Sequence, residues 1–183
     1  MTTIRTARAA DGRAVCQLYR QPGSAVAGLA ADALGQGLEA AALISATLGH
    51  LPFLVAEQGS TLIGFAYARA HRAAAGFRWS VEVAVHAWPG PHQGAVAEAL
   101  YRHLAAQLAE QGFLALYVTL PLASSAGIAL HERLGFAHLG QPAAIDLQVA
   151  TGSWCLTLDE RVGAGEPVPY RQWLRRRVDS SRA

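Results

Sequence analysis

Phe77-Arg-Trp-Ser-Val-Glu-Val-Ala-Val-His-Ala87, followed by Trp88-Pro-Gly-Pro-His-Gln-Gly94 and an amphipathic run to Gln111, is the stretch that decides the fold. The first part is β-branched and aromatic, as a pleated strand requires. The second is a Pro/Gly loop. The third has helical spacing and stops at Gly112, a helix-ending residue. Leu114 to Leu120 then reads as another strand. Strand, helical crossover and strand predict a parallel pair, because a crossover is what lets consecutive strands run the same way. Open sheets bind ligands outside the C-terminal ends of parallel strands, beside a helix N-terminus. That rule directs attention to the loop 88–97.

Outward from this unit, Thr3 to Arg8 alternates as a short strand, and Asp11 is placed to cap a helix carrying Val15, Leu18 and Tyr19 on one face. Gln21-Pro-Gly-Ser breaks it, and the Ala/Leu-rich run from Ala25 to Leu48 predicts one or two helices ending at Gly49. Phe53-Leu-Val-Ala-Glu and Thr61-Leu-Ile-Gly-Phe-Ala-Tyr-Ala are two strands joined by a Gln58-Gly-Ser hairpin. Late in the chain come a helix over Ser124 to Leu134, a Gly135-Phe136 exit, and a closing β-ribbon to about Leu158. The order β-α-α-β-β-β-α-β-α-β predicts one α/β domain over 1–160. Its sheet is mixed and mostly antiparallel, with helices on both faces and the fourth and fifth strands parallel. Residues 161–183 are an Arg-rich tail in which Tyr170-Arg-Gln-Trp-Leu-Arg-Arg-Arg reads as a solvated terminal helix or an anionic-partner patch, with Trp173 and Leu174 able to dock it.

The chain has 183 residues, 52% hydrophobic and 15% charged, with a formal net charge of +2. This is one folding domain, and the balance is opposite to that of disorder. The charge is too near zero for a general nucleic-acid binder. No apolar run reaches a membrane span and no signal-peptide core opens the chain, so a cytoplasmic protein is expected. Cys16 and Cys155, far apart, form neither a metal pair nor a disulfide framework, and the histidines show no ligand spacing; no metal is expected. Lysine is absent and alanine abundant, a GC-rich codon bias that points to a bacterial source.

Four stretches carry a resemblance: Ile4-Arg-Thr-Ala-Arg-Ala-Ala-Asp, Phe53-Leu-Val-Ala-Glu, Trp79-Ser-Val-Glu-Val-Ala-Val and Leu130-His-Glu-Arg-Leu-Gly-Phe. Together they resemble the Gcn5-related N-acetyltransferases, and specifically the phosphinothricin N-acetyltransferases, over roughly Thr3 to Leu158. The resemblance implies acetyl-CoA as co-substrate, a small primary amine as acceptor, a homodimer, and fourth and fifth strands splayed around the cofactor.

The family's pyrophosphate loop, Gln/Arg-x-x-Gly-x-Gly/Ala, corresponds to His92-Gln-Gly-Ala-Val-Ala97. Glycines let the backbone approach the pyrophosphate, and the N–H groups and dipole of the helix start bind it. Gln93, Gly94, Ala95, Val96, Ala97 and Glu98 are the implied cofactor-binding residues, but Ala95 replaces the first glycine and His92 the Gln/Arg. Glu98, read as lying in the first turn, would repel a pyrophosphate. Three readings stay open: weaker acetyl-CoA binding, another acyl donor, or loss of the cofactor.

The resemblance also places backbone groups of Val85, His86 and Ala87 on the pantetheine arm and acetyl carbonyl, where donors would stabilise an oxyanion. Glu82 falls at the general-base position, and a carboxylate can take the proton of an ammonium before attack; the plain alternative is a glutamate on a strand's solvent face. His131 falls where an assisting acid would protonate the departing thiolate; otherwise it is a helix-surface histidine. Ser124 stands where the family has a cofactor-contacting Asn. Phe77, Arg78, Trp79 and Trp154 are the implied acceptor residues, Arg78 able to pair with a carboxylate. The rival to an N-acetyltransferase is a catalytically degenerate module of the same fold, which Ala95, Glu98, Ser124 and Leu156 favour.

Overall fold

The computed structural model describes residues 2–27, 37–71, 77–140, 150–159 and 165–180. Its strands are β1 (Thr2–Thr6), β2 (Ala25–Ala27), β3 (Phe53–Gln58), β4 (Thr61–Ala70), β5 (Ser80–Ala87), β6 (Ala115–Pro121), β7 (Ala137–Gly140) and β8 (Thr151–Thr157). Its helices are α1 (Gly12–Tyr19), α2 (Gly37–His50), α3 (Gln93–Gln111), α4 (Ser125–Arg133) and α5 (Tyr170–Ser180). The strands form one sheet in the order β1-β3-β4-β5-β6-β8-β7, with β2 on β5. Every pairing is antiparallel except β5–β6, as the crossover argument requires.

The period-two alternation of β5 sends its residues to two cores. Val81, Val83 and Val85 pack with Leu100, Leu104, Leu116, Val118 and Trp154 on the α3–α4 face. Ala84 packs with Phe65, Tyr67, Val15, Leu18 and Ile44 on the α1–α2 face. Burial of each such aliphatic side chain contributes about 1.5–3 kcal/mol. Gly64 permits the close approach of α3 to β4: a Cβ there would lie 2.8 Å from Val96 Cγ1 and 3.0 Å from Leu100 Cδ1. Gly112 ends α3 in the left-handed region, at φ 96°.

The parallel pairing of β5 and β6 covers only Ser80–Glu82 against Ala115–Tyr117. Beyond Glu82 the strands part, and β2 takes the freed edge, with Ala25 opposite His86 and Ala27 opposite Val85. This corrects the expectation of helix from Ala25. An open strand edge outweighs the modest helix preference of an Ala-Val-Ala segment. The rest of that expected helix is α2, apart from residues 28–36, which lie outside those described, as do residues 141–149 of the closing ribbon. Phe77–Trp79 is a turn before β5 rather than its first residues. Asp11 stands at the α1 N-cap, but its carboxylate turns back to Arg5 and the Arg8 N–H, because a guanidinium is the stronger partner.

The Arg-rich tail is not a separate appendage. Tyr170 is fully buried and Trp173 nearly so. The Tyr170 hydroxyl donates to Gln107 Oε1 at 3.0 Å and pairs with the Thr6 hydroxyl at 2.9 Å, tying α5 to α3 and β1. No helix among the described residues is long and apolar enough to cross a membrane.

Candidate active site

Glu82 is the last β5 residue paired with β6, so its carboxylate stands at the fork of the two strands. Across the β4–β5 register it faces Arg69, whose Nε and Nη2 lie 3.0 and 2.8 Å from Glu82 Oε2. Oε1 has no hydrogen-bond partner among the described residues. The Glu82 side chain is 14% exposed, enough to meet a small ligand. Tyr117 on β6 is opposite Glu82, and its ring stacks on His71 at 4.1 Å, with Phe77 edge-on to His71 at 5.3 Å. Tyr67, one position back along the same face, is 2% exposed, and its hydroxyl is buried without a partner among the described residues. Burial pushes that phenol's pKa up, so it stays protonated.

Arg69, Tyr67, His71 and Tyr117 escaped sequence reasoning. The signal was present: Phe65, Tyr67, Arg69 and His71 alternate with alanines in β4 and just beyond it, a period-two stripe that puts all four on one face.

The expected pyrophosphate loop leads into α3, with His92 at the N-cap. The Gln93 N–H bonds the Gly90 carbonyl, while those of Gly94 and Ala95 lie in the first turn, where a helix has no internal acceptor. A Cβ at Gly94 would meet nothing within 4 Å, so the ledge is open. The residues therefore fit a bound pyrophosphate. Ala95 is exposed, Val96 buried and Ala97 fully so. The Gln93 amide donates to the Gly23 and Ala87 carbonyls at 2.6 and 3.2 Å, holding the loop against the start of β2 and the end of β5.

Glu98 does not lie in the first turn, because α3 begins at Gln93. Its Oε1 accepts from Arg102 Nε and Nη2 at 3.2 and 2.8 Å, and Arg133 Nη2 lies 3.9 Å from Oε2. The Arg102 hydrogen bond holds the Glu98 pKa below its ordinary value. The carboxylate is thus neutralised by cations on its own flank and does not stand as a free repulsive charge.

Other expected residues meet different partners. The outer edge of β5 at Val85, His86 and Ala87 is not open: it pairs with β2, and the Ala87 N–H donates to the Ser24 carbonyl at 2.9 Å. His86 stacks on Phe65 at 4.7 Å, and burial lowers its pKa to about 4. His131 is 0% exposed. Its Nδ1–H donates to the Gly127 carbonyl at 2.6 Å, so Nε2 accepts the Tyr101 O–H at 2.5 Å. A sealed ring with both nitrogens bonded does not reach a thioester sulfur directly, which corrects that expectation and also that of a surface histidine. Burial lowers the His131 pKa and raises that of Tyr101 well above 10, so the pair is neutral.

Ser124 is the α4 N-cap residue and packs over Gly127, where a Cβ would lie 2.6 Å from its Oγ. Trp154 is 2% exposed, in the α3–α4 core and on the opposite face from Glu82, because Cys155 is the β8 residue in register with Tyr117. Arg78 lies 3.9 Å over the Trp79 ring and pairs with Glu166, and the Trp79 indole donates to the Gly165 carbonyl. Of the expected acceptor residues, only Phe77 joins the ring cluster beside Glu82. No group of three or more His, Cys, Asp or Glu among the described residues is placed to hold a metal ion.

No protein-family model matches the chain. Solved structures do. YncA from Salmonella typhimurium, solved with its cofactor acetyl-CoA, is 25% identical with a TM-score of 0.75, covering 90% of this chain and 98% of that one. The fold and such likenesses place the chain in the Gcn5-related N-acetyltransferase superfamily. Within it, the chain resembles phosphinothricin N-acetyltransferases. The one from Sinorhizobium meliloti, in complex with acetyl-CoA, is 27% identical with a TM-score of 0.75, over 91% of this chain and 93% of that one. That of Streptomyces viridochromogenes is 32% identical over 89 residues, and the match spans about half of each protein, 49%.

Proposed function

We propose that the chain transfers the acetyl group of acetyl-CoA to the primary amine of a small acceptor by direct attack, with Glu82 as the base. The observation that carries this reading is the Glu82 carboxylate at the β5–β6 fork, one oxygen held by Arg69 and the other without a hydrogen-bond partner among the described residues. Acetyl-CoA supplies the activated thioester carbonyl. The acceptor ammonium gives a proton to Glu82 Oε1, the C–N bond forms as the C–S bond breaks, and the proton shed by the amide nitrogen returns the thiolate to thiol. Arg69 fixes the carboxylate so that the proton transfer needs no reorientation. The first-turn N–H groups of α3 bind the pyrophosphate, aided by the helix dipole. His131 acts by locking Tyr101, and thereby α3, against α4. The same reading has a bacterial, cytoplasmic homodimer.

The test is acetyl-CoA turnover against a panel of small amines, with Glu82→Gln alongside. Turnover by the parent chain that is lost in the variant supports the assignment, and an equally active variant removes Glu82 from the chemistry. A second reading, a binding module without catalysis, is favoured by β2 lying along the β5 edge at Val85–Ala87. Calorimetry separates the two: saturable CoA binding tighter than about 100 μM, near −5.5 kcal/mol, fits the enzyme, and none fits the module.

A further inference from the structure

The flank of α3 that faces α4 carries a charge arrangement that the pyrophosphate loop leaves unused. Arg102 and Arg133, with side chains 68% and 63% exposed, share the single carboxylate of Glu98. One anion between two cations leaves a net positive charge. An exposed i,i+4 pair contributes little to stability, because solvent and salt screen it, so folding alone gives little reason for the cluster. Beside it lies a cavity of about 290 Å³ lined by Tyr101, Arg102, Ala105, Leu134, Phe136 and Leu156, an otherwise apolar and aromatic wall with a cation on its rim.

The position matters as much as the charge. Arg102 is seven residues past Ala95, which at 1.5 Å per residue is about 10 Å along the helix from the open first-turn N–H groups. That is the reach of an adenosine from its pyrophosphate. Guanidinium groups are suited to a phosphate monoester through paired N–H donors.

We propose that Arg102 and Arg133 form a seat for the ribose 3′-phosphate of CoA, with the cavity rim as the apolar neighbour of the adenine. The seat rests on the acetyl-CoA reading above, and it makes up for the arginine or glutamine missing at His92. Glu98 is its internal counter-ion: it holds both guanidinium groups in place and yields them to the phosphate.

The test compares CoA with 3′-dephospho-CoA by calorimetry on the parent chain, Arg102→Gln, Arg133→Gln and Glu98→Gln. The expected result is that the parent binds CoA about tenfold or more tighter than 3′-dephospho-CoA, that each arginine variant narrows the gap several-fold, and that Glu98→Gln widens it. Affinity for 3′-dephospho-CoA should change by less than affinity for CoA in every variant, and circular dichroism and thermal melts matching the parent show that the variants are folded. Raising the salt concentration should shrink the gap, as for any exposed charge pair. Equal affinity of the parent for both ligands overturns the seat while leaving the acetyl-CoA reading intact. A gap that survives in both arginine variants overturns it as well. If neither ligand binds the parent, the acetyl-CoA reading falls and the seat with it.

Discussion

Arg69 and Glu82 stand opposite each other in the β4–β5 register, and the guanidinium reaches only one carboxylate oxygen, with Nε and Nη2 at 3.0 and 2.8 Å from Oε2. The arrangement orients Glu82 without occupying its second oxygen. If Glu82 takes the acceptor's proton, Glu82→Gln should lower kcat by about 10²–10⁴-fold and leave CoA affinity within twofold. Arg69→Met should also lower kcat while CoA binding persists, since the carboxylate would lose its fixed orientation. Stopped-flow turnover and calorimetry on the same preparations read both quantities. Parallel loss of CoA affinity would instead mean that the pair supports the fold.

Gly64 sets the distance between β4 and the start of α3. Gly64→Ala puts a methyl group 2.8 Å from Val96 Cγ1 and 3.1 Å from the His86 carbonyl oxygen, so the helix start must shift. Overpacking of this kind costs about 1–3 kcal/mol. Denaturant melts should show that loss together with weaker CoA binding, because Val96 belongs to the turn proposed to hold the pyrophosphate. An unchanged melting curve would contradict the close packing.

Burial lowers the His86 pKa to about 4, against about 6.5 in an unfolded chain. The folded state therefore holds the ring neutral. Its stability is fully present above about pH 6.5 and declines as the pH falls toward 4, because the unfolded state binds the proton first. The decline due to this ring should be on the order of 3 kcal/mol at its acid limit, and His131 shifts in the same direction. His86→Phe, which keeps a ring against Phe65, should flatten the pH 6.5–4 segment of a urea-midpoint profile. An unaltered slope would place the acid sensitivity elsewhere.

Tyr170 fastens α5 to the body through the hydroxyls and amide it meets on β1 and α3. Tyr170→Phe should cost about 1 kcal/mol, and Tyr170→Ala about 3–5 kcal/mol as a buried aromatic is lost. Truncation before Tyr170 should destabilise the whole chain in a single transition. A separate early transition for the tail would show that α5 is an independent unit.

The amino-acid pattern alone was enough for the β5–loop–α3–β6 unit, because each part of it is a local signal: a β-branched run, a Pro/Gly loop, helical spacing and a terminating glycine. It also showed Glu82 as a carboxylate within an otherwise apolar strand, which the family resemblance set at the general-base position. What stands opposite each side chain was decided by the tertiary structure. Ala25–Ala27 became a strand because β6 leaves the β5 edge free, and Arg133, 35 residues later, ends α4 beside Glu98 and adds a second cation to the one that Arg102 supplies locally at i,i+4. His131 and Trp154 turned inward to cores that only the packed helices and sheet create. Periodicity tells which face a residue shares. Hydrogen bonds, ion pairs and burial depend on strand register and helix packing across dozens of residues, and those are set by the whole fold at once.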